Sequence, residues 1–162
     1  MIKTEPEEIV IREARIEDLR AILRLIAQHR AADAQEARWT YREFFRKGAR
    51  PRDRVFVAEK AGRIVGVSGF WYDLYTDNGV YWLNWTYVHP RQRSQGVGGK
   101  LLTKVLSALR KKRARKLFAD TSSNPSYHRA LQFYRAHGFK REGTLRDYYE
   151  PGEDQIIFGK EL

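Results

Sequence analysis

Between Arg54 and Pro90 the chain passes through three apolar stretches, RVFVAEK, RIVGVSGFWYD and VYWLNWTYVHP. Ala61-Gly62 separates the first two, and Asp77-Asn78-Gly79, a type I′ turn signal, leads into the third. Joints this short make consecutive antiparallel strands, because parallel strands need a crossover of a dozen or more residues. After Pro90 comes RQRSQGVGGK, a turn bare of side chains and rich in cations. Val97, Leu101, Leu102, Val105, Leu106 and Leu109 then recur at helical spacing. Any fold for this chain must feed an antiparallel sheet into a glycine turn and a buried helix.

The remaining segments complete the order. IVIREA (9–14) predicts a strand, Ile16 to about Arg30 a helix, and Ala34 to Lys47 a second helix stopped by Gly48 and Pro51. KLFADT predicts a short strand, Tyr127 to His137 a helix ended by Gly138, and FKREGTL and DQIIFGKEL a closing pair around EPGED. The order is β-α-α-β-β-β-α-β-α-β-β, a mixed α/β sheet. Residues 1–7 read as a polar tail and 8–162 as a single domain. With 42% hydrophobic and 31% charged residues the composition is that of a globular chain, and no apolar run reaches a membrane span. The N-terminal MIKTEPEEIV lacks the apolar region of a signal peptide, so a cytoplasmic location is expected, with no membrane partner.

The chain has no cysteine, which excludes disulfides, thiolate metal sites and a cysteine nucleophile. Its histidines, His29, His89, His128 and His137, lack metal-ligand spacing, so no metal is expected. Ser94 has no His-Asp arrangement nearby, which argues against a serine hydrolase. The formal net charge of +11 favours a polyanion or a phosphate-rich cofactor, with a merely solubilising surface as the alternative. LRKKRARK (109–116) concentrates six cations, part of which complements the end of a helix.

A glycine turn leading into a helix presents free backbone N–H groups and the positive end of the helix dipole, which together suit an anion. Spacing rejects two common phosphate loops. A P-loop would need glycine where Ser94 stands and Ser or Thr where Leu101 stands, and a dinucleotide fingerprint would need a third glycine at Leu101. What remains is Arg93-Ser94-Gln95-Gly96-Val97-Gly98, the pattern [QR]-x-x-G-x-[GA], with VHP before it and ALQFYRAHGF thirty residues on. With these motifs and this element order, nearly the whole chain resembles the GNAT superfamily of acetyl-CoA-dependent N-acetyltransferases, in a branch of undefined substrate. Where some members carry Y-x-P-T-R before the FY, the chain reads YHRAL.

The resemblance implies a three-layer fold with a cofactor cleft between splayed fourth and fifth strands, at NWTYV and KLFADT. It implies that acetyl-CoA binds through Arg93, Ser94, Gln95, Gly96, Val97, Gly98, Gly99 and Lys100, with backbone N–H groups near Val88 facing the thioester oxygen. Tyr134 matches the family's general acid, although Ala130, Phe133, Tyr134 and His137 also fit a plain core stripe. Asn124 matches a pantetheine contact, or caps the turn before Pro125. His89 reads as structural. The position of the family's glutamate is Trp82, and no carboxylate occurs from Val80 to His89. An amine of pKa near ~10.4 is protonated at neutral pH and needs a base. Water through Asn84 and Thr86, Asp73, Asp120 and Glu150 are the candidates; Asp120 is preferred because it ends a strand lining the cleft, with turn capping as its alternative role.

The expected reaction is direct acetyl transfer to a primary amine in a ternary complex, consistent with the lack of a cysteine for an acyl-enzyme. Trp71, Tyr72, Tyr75, Tyr81, Trp82, Trp85, Tyr87, Tyr148 and Tyr149 fall on segments expected to wall the acceptor pocket, and aromatics with Asp73, Asp77 and Asp147 suit a cationic amine. The acceptor is then a small molecule or a protein amine. The family admits homodimers. A non-catalytic acetyl-CoA-binding protein, or a nucleic-acid- or ribosome-binding one on the same fold, is the alternative. No nucleic-acid-binding motif supports the latter.

Overall fold

At Ala61-Gly62 the backbone takes φ values of 48° and 70°, the left-handed pair that a type I′ hairpin requires. The computed structural model describes residues 8–46 and 51–162, so the expected tail at 1–7 and the helix stop at Gly48 lie outside the described residues. The first half holds β1 (Ile9–Glu13), α1 (Leu19–Ala27), α2 (Ala31–Phe45), β2 (Arg54–Lys60) and β3 (Arg63–Tyr72). Next come β4 (Val80–Leu83), β5 (Tyr87–Val88) and α3 (Val97–Lys111). The chain closes with β6 (Lys116–Ser122), α4 (His128–Ala136), β7 (Lys140–Glu150) and β8 (Glu153–Glu161). This is the expected mixed α/β order, except that the strand expected over Val80–Pro90 is two strands.

The chain divides into two compact units, Met1–Trp71 with Asn84–Ala108, and Tyr72–Leu83 with Leu109–Leu162. In the first, β2 pairs antiparallel with β1 and with β3, and β5 pairs antiparallel with β3. Strand alternation sends Val55 and Val57 to one face, where they pack with Val67 against Ile22, Leu25, Ile26, Ala37 and Tyr41 of α1 and α2. On the opposite face Gly66 lies under α3: a Cβ built there would sit 2.9 Å from Leu101 Cδ1 and 3.1 Å from Val97 Cγ1. Absence of a side chain at Gly66 thus lets the first turns of α3 settle on the sheet. Arg12 ties β1 to the start of α1, donating to Asp18 at 2.7 and 2.9 Å and to Glu59 at 2.8 Å.

In the second unit β4 pairs parallel with β6, β6 antiparallel with β8, and β8 antiparallel with β7. The parallel pairing covers only Val80–Trp82 against Lys116–Phe118, whereas β6 runs on to Ser122. The segment before β4 is longer than the expected tight turn. Asp73 N–H donates to Val80 O, and the Asp73 carboxylate accepts from the N–H groups of Tyr75 and Thr76 at 2.9 and 3.1 Å, making a side-chain-built loop over 73–79.

Gly66→Val should force Val97 and Leu101 outward and lower stability by about 1–3 kcal/mol, read from urea unfolding midpoints.

Candidate functional site

The strand break is the first element of the site. Asn84 N–H donates to Gly69 O at 2.7 Å, continuing the sheet by one residue. Its side-chain Oδ1 then accepts the N–H of Trp85 at 2.7 Å, and Thr86 Oγ1 donates to Asn84 O at 3.0 Å and pairs with Ser68 Oγ at 2.8 Å. These side chains take backbone groups that a continuous ladder would use, so pairing lapses over 84–86. It resumes with Tyr87 opposite Val67 and Val88 opposite Gly66.

His89 N–H donates to Val65 O at 2.8 Å. Antiparallel pairs alternate between bonded and non-bonded, so Val88 opposite Gly66 is a non-bonded pair whose N–H and C=O face away from β3. Arg93 Nε donates to that outward Val88 carbonyl at 3.2 Å. Arg93, read from sequence as a phosphate contact, is therefore also a brace for β5. His89 caps the next turn, its Nδ1 accepting from Arg91 N–H at 3.2 Å, in line with a structural role.

The glycine turn follows. Ser94 and Gly96 take φ of 61° and 78°, and a Cβ at Gly96 would meet nothing within 4 Å. Lys100 N–H closes the first helical bond of α3, to Gly96 O at 3.0 Å. The N–H groups of Val97, Gly98 and Gly99 lie in the opening turn, ahead of any intrahelical acceptor. Gln95 is held by its own amide, which donates to Arg91 O at 3.1 Å. Free helix N-terminal donors, with the cationic residues Arg91, Arg93 and Lys100 in the same stretch of chain, suit an anion.

Beside β5 lies a polar group that sequence reading did not single out. Tyr87 OH donates to Asp33 Oδ2 at 2.7 Å, and the His29 ring lies 5.6 Å from the Tyr87 ring. Asp33 is only 8% exposed, although its helical position gave no sign of a partner fifty-four residues away. Burial holds the His29 imidazole below its usual pKa; Asp33 opposes this, and Arg93 and Arg30 add to it.

In the second unit Tyr134 packs between the rings of Phe139 and Phe158, each at 5.4 Å, and is 7% exposed. Burial first, and the charge of Asp120 second, push its phenol well above the ordinary tyrosine range, so it keeps its proton. Asp120 does not cap the following turn. Its Oδ2 accepts from Gln155 Nε2 at 2.8 Å and from Tyr149 OH at 3.4 Å. Tyr149 is likewise pushed up, by burial and then by Asp120. Tyr134 and Tyr149 thus both feel one carboxylate, a grouping hidden in sequence because Tyr149 sits on β7.

Asn124 caps the turn before α4, its Oδ1 accepting from Ser126 N–H at 3.0 Å. Asp73 accepts from Trp82 Nε1 at 3.0 Å, and this bond chiefly, with the N–H groups of Thr76 and Tyr75, holds its carboxyl below the usual range. Such a carboxylate is a poor proton acceptor at neutral pH. Glu150 is exposed at the β7–β8 turn, opposite Glu153. The aromatics expected on one wall have separate neighbours: Tyr72 meets Tyr81 edge-on at 5.0 Å and Trp82 lies tilted against Phe118 at 5.1 Å, whereas Trp85 and Tyr87 pack on the α1–α2 core. Among the described residues no group of His, Cys, Asp and Glu is placed to hold a metal ion.

The family model of the acetyltransferase (GNAT) domain matches residues 51–141, more than half of the chain. The chain belongs to the GNAT superfamily. It is an N-acetyltransferase of a family that uses acetyl-CoA. Among solved structures it is similar to a GNAT-family protein of Desulfovibrio desulfuricans assigned as an acetyltransferase, at 25% identity and TM-score 0.85, covering 95% of this chain and 99% of that one. The fold is shared with a ribosomal-protein-alanine N-acetyltransferase of Brucella melitensis, at 22% identity and TM-score 0.74, over 94% and 99% of the two chains. It is shared also with the yncA protein of Salmonella typhimurium, solved with its cofactor acetyl-CoA, at 20% identity and TM-score 0.73, over 95% and 94%. No curated protein matches. Among the described residues no helix is long and apolar enough to cross a membrane.

The His29 shift fixes a sign. The unfolded imidazole takes a proton near pH ~6.5 and the folded one only below that, so between the two values the unfolded state holds more protons. Stability should therefore fall as pH drops through ~6.5 and level off beneath the folded value. Urea unfolding from pH ~7.5 to ~5 should show this limb in the native protein and a flatter one in His29→Gln.

Proposed function

We propose that this GNAT enzyme moves the acetyl group of acetyl-CoA directly to a primary amine while both substrates are bound. The observation that carries the reading is the glycine turn: left-handed Ser94 and Gly96, open space over Gly96, and unbonded N–H groups at the start of α3. Gly96, Val97, Gly98 and Gly99 hold the pyrophosphate through the backbone, with Ser94 and Gln95 at the rim and Arg93 and Lys100 supplying charge. The cosubstrate supplies an acetyl thioester, an acyl group activated toward amines.

The chain's residues do the rest. The outward N–H of Val88 donates to the thioester oxygen, where negative charge grows as the amine nitrogen bonds the carbonyl carbon and the C–S bond breaks. A fixed donor of this type contributes about 3–4 kcal/mol to barrier lowering. Tyr134 gives its proton to the departing thiolate. Burial raises the phenol, yet the same desolvation raises a thiol from its ordinary ~8.5, so the difference that governs transfer stays small. Asp120, steadied by Gln155 and Tyr149, takes the amine's proton. Asn124 positions the chain entering α4 and faces the pantetheine.

Acetyl-CoA should raise the thermal midpoint in a concentration-dependent way that coenzyme A reproduces in part and pyrophosphate does not. Gly98→Glu should abolish the shift; no shift beyond that of pyrophosphate would sink the cofactor assignment. Tyr134→Phe should bind acetyl-CoA normally and lose about 100-fold in kcat. Asp120→Asn should lose kcat/KM at neutral pH and recover it toward pH ~10, where the amine sheds its own proton. Loss that is equal at every pH would remove Asp120 from the proton path.

A further inference from the structure

We propose that Asp33 is a positioning residue for acetyl transfer: through Tyr87 it fixes the peptide plane that carries the Val88 N–H. This rests on the proposed direct transfer, in which that N–H meets the thioester oxygen, and adds the device that aims it. Every residue involved lies within the first unit.

The donor belongs to a peptide shared by two residues. A trans peptide is planar, with its C=O and N–H pointing in opposite directions, and no peptide bond among the described residues is cis. Val88 opposite Gly66 is a non-bonded pair, so Tyr87 opposite Val67 is a bonded one, exchanging both N–H···O bonds with its partner. The Tyr87 carbonyl therefore points into β3, and the Val88 N–H of the same plane points out. Any roll of Tyr87 about the strand axis swings that N–H with it.

Backbone bonds alone hold this plane weakly. β5 is two residues long, and pairing lapses over 84–86 just before it. The Tyr87 side chain adds anchorage. Strand alternation sends it to the α1–α2 face, where its ring packs on the core, 5.6 Å from the His29 ring and 6.2 Å from the Trp85 ring. Its hydroxyl donates to Asp33 Oδ2 at 2.7 Å. Asp33 is a firm post. It is the third residue of α2, only 8% exposed, and the first turn of a helix favours a carboxylate. From the other direction Arg93 Nε donates to the Val88 carbonyl at 3.2 Å. Val88 is thus held from α2 through Tyr87 and from the glycine turn through Arg93. Such holding has a catalytic use, because a donor serves the developing oxyanion only within about 2.7–3.1 Å of it.

The test reads the donor directly. Infrared difference spectra of bound acetyl-CoA, isotope-labelled at the acetyl carbonyl, report a hydrogen bond as a lowered thioester stretch. The native protein should lower the stretch. Tyr87→Phe, which keeps the ring and loses only the hydroxyl, should shift it back up, as should Asp33→Ala. With hydroxylamine as a small uncharged amine, kcat should fall about tenfold in each variant, the cost of a loosened donor. KM for acetyl-CoA should stay within about twofold, as when only transition-state stabilisation is lost. The double variant should be no slower than either single one, because both remove the same bond. Asp33→Asn still offers the hydroxyl an oxygen and should restore most of the rate lost in Asp33→Ala.

Additive losses in the double variant, Asp33→Asn as slow as Asp33→Ala, or a loss confined to KM would overturn the inference. A stretch lowered equally in the native protein and in Tyr87→Phe would strike the role of Asp33 and leave the Val88 donor standing. If the native protein binds acetyl-CoA without lowering the stretch, the direct-donor reading fails and the inference fails with it.

Discussion

A carboxamide oxygen 2.7 Å from the next residue's N–H sets the terms for the first unit. By taking Trp85 N–H, Asn84 stops a strand that its sequence would otherwise continue. The register that resumes after the gap determines which backbone groups of β5 are spent on β3 and which face outward. Gly66 then has two neighbours at once, Val88 as its strand partner and the first turns of α3 on its open face. The outward backbone of Val88 and the first turns of α3 are thus fixed to the same residue of β3. Their spacing is set by sheet geometry, not by a flexible loop.

The excess of positive charge looks different once its partners are known. Arg93 braces Val88 and Arg12 clasps Asp18 and Glu59. In the second unit Lys116 bridges Glu142 at 2.7 Å and Glu161 at 3.2 Å, and Arg115 donates to Asn78 O. Arg110 and Lys111 end α3, where cations oppose the dipole. Within the basic run at 109–116, Arg115 and Lys116 are thus engaged inside their own unit, while Arg110, Lys111 and Arg113 stay exposed.

Local signals in the sequence carried most of the fold. Ala61-Gly62 specified its hairpin, Val97 to Leu109 their helix, and Gly96 the positive φ of the turn. Asn124 was legible as a cap because Asx side chains before proline bond the backbone two residues on. The strand break was not, since YWLNWTYV is strongly β-forming on both sides of its one Asn, and only a tertiary partner, Ser68 against Thr86, shows what the polar residues do. Contacts of long separation were equally invisible: Tyr87 with Asp33, Asp120 with Tyr149 and Gln155. Trp82 is the instructive substitution for the family's glutamate. Its indole points the chain to a carboxylate one hydrogen bond away, Asp73, yet the three donors around that carboxylate disqualify it as a base.

Helix α2 carries an imperfection of its own. Tyr41 is fully buried in the core, and its hydroxyl finds no hydrogen-bond partner among the described residues. An unsatisfied buried hydroxyl typically costs on the order of 1–3 kcal/mol. Helix α2 is therefore seated in the core against a small built-in penalty, and what the core uses at this position is the ring rather than the hydroxyl.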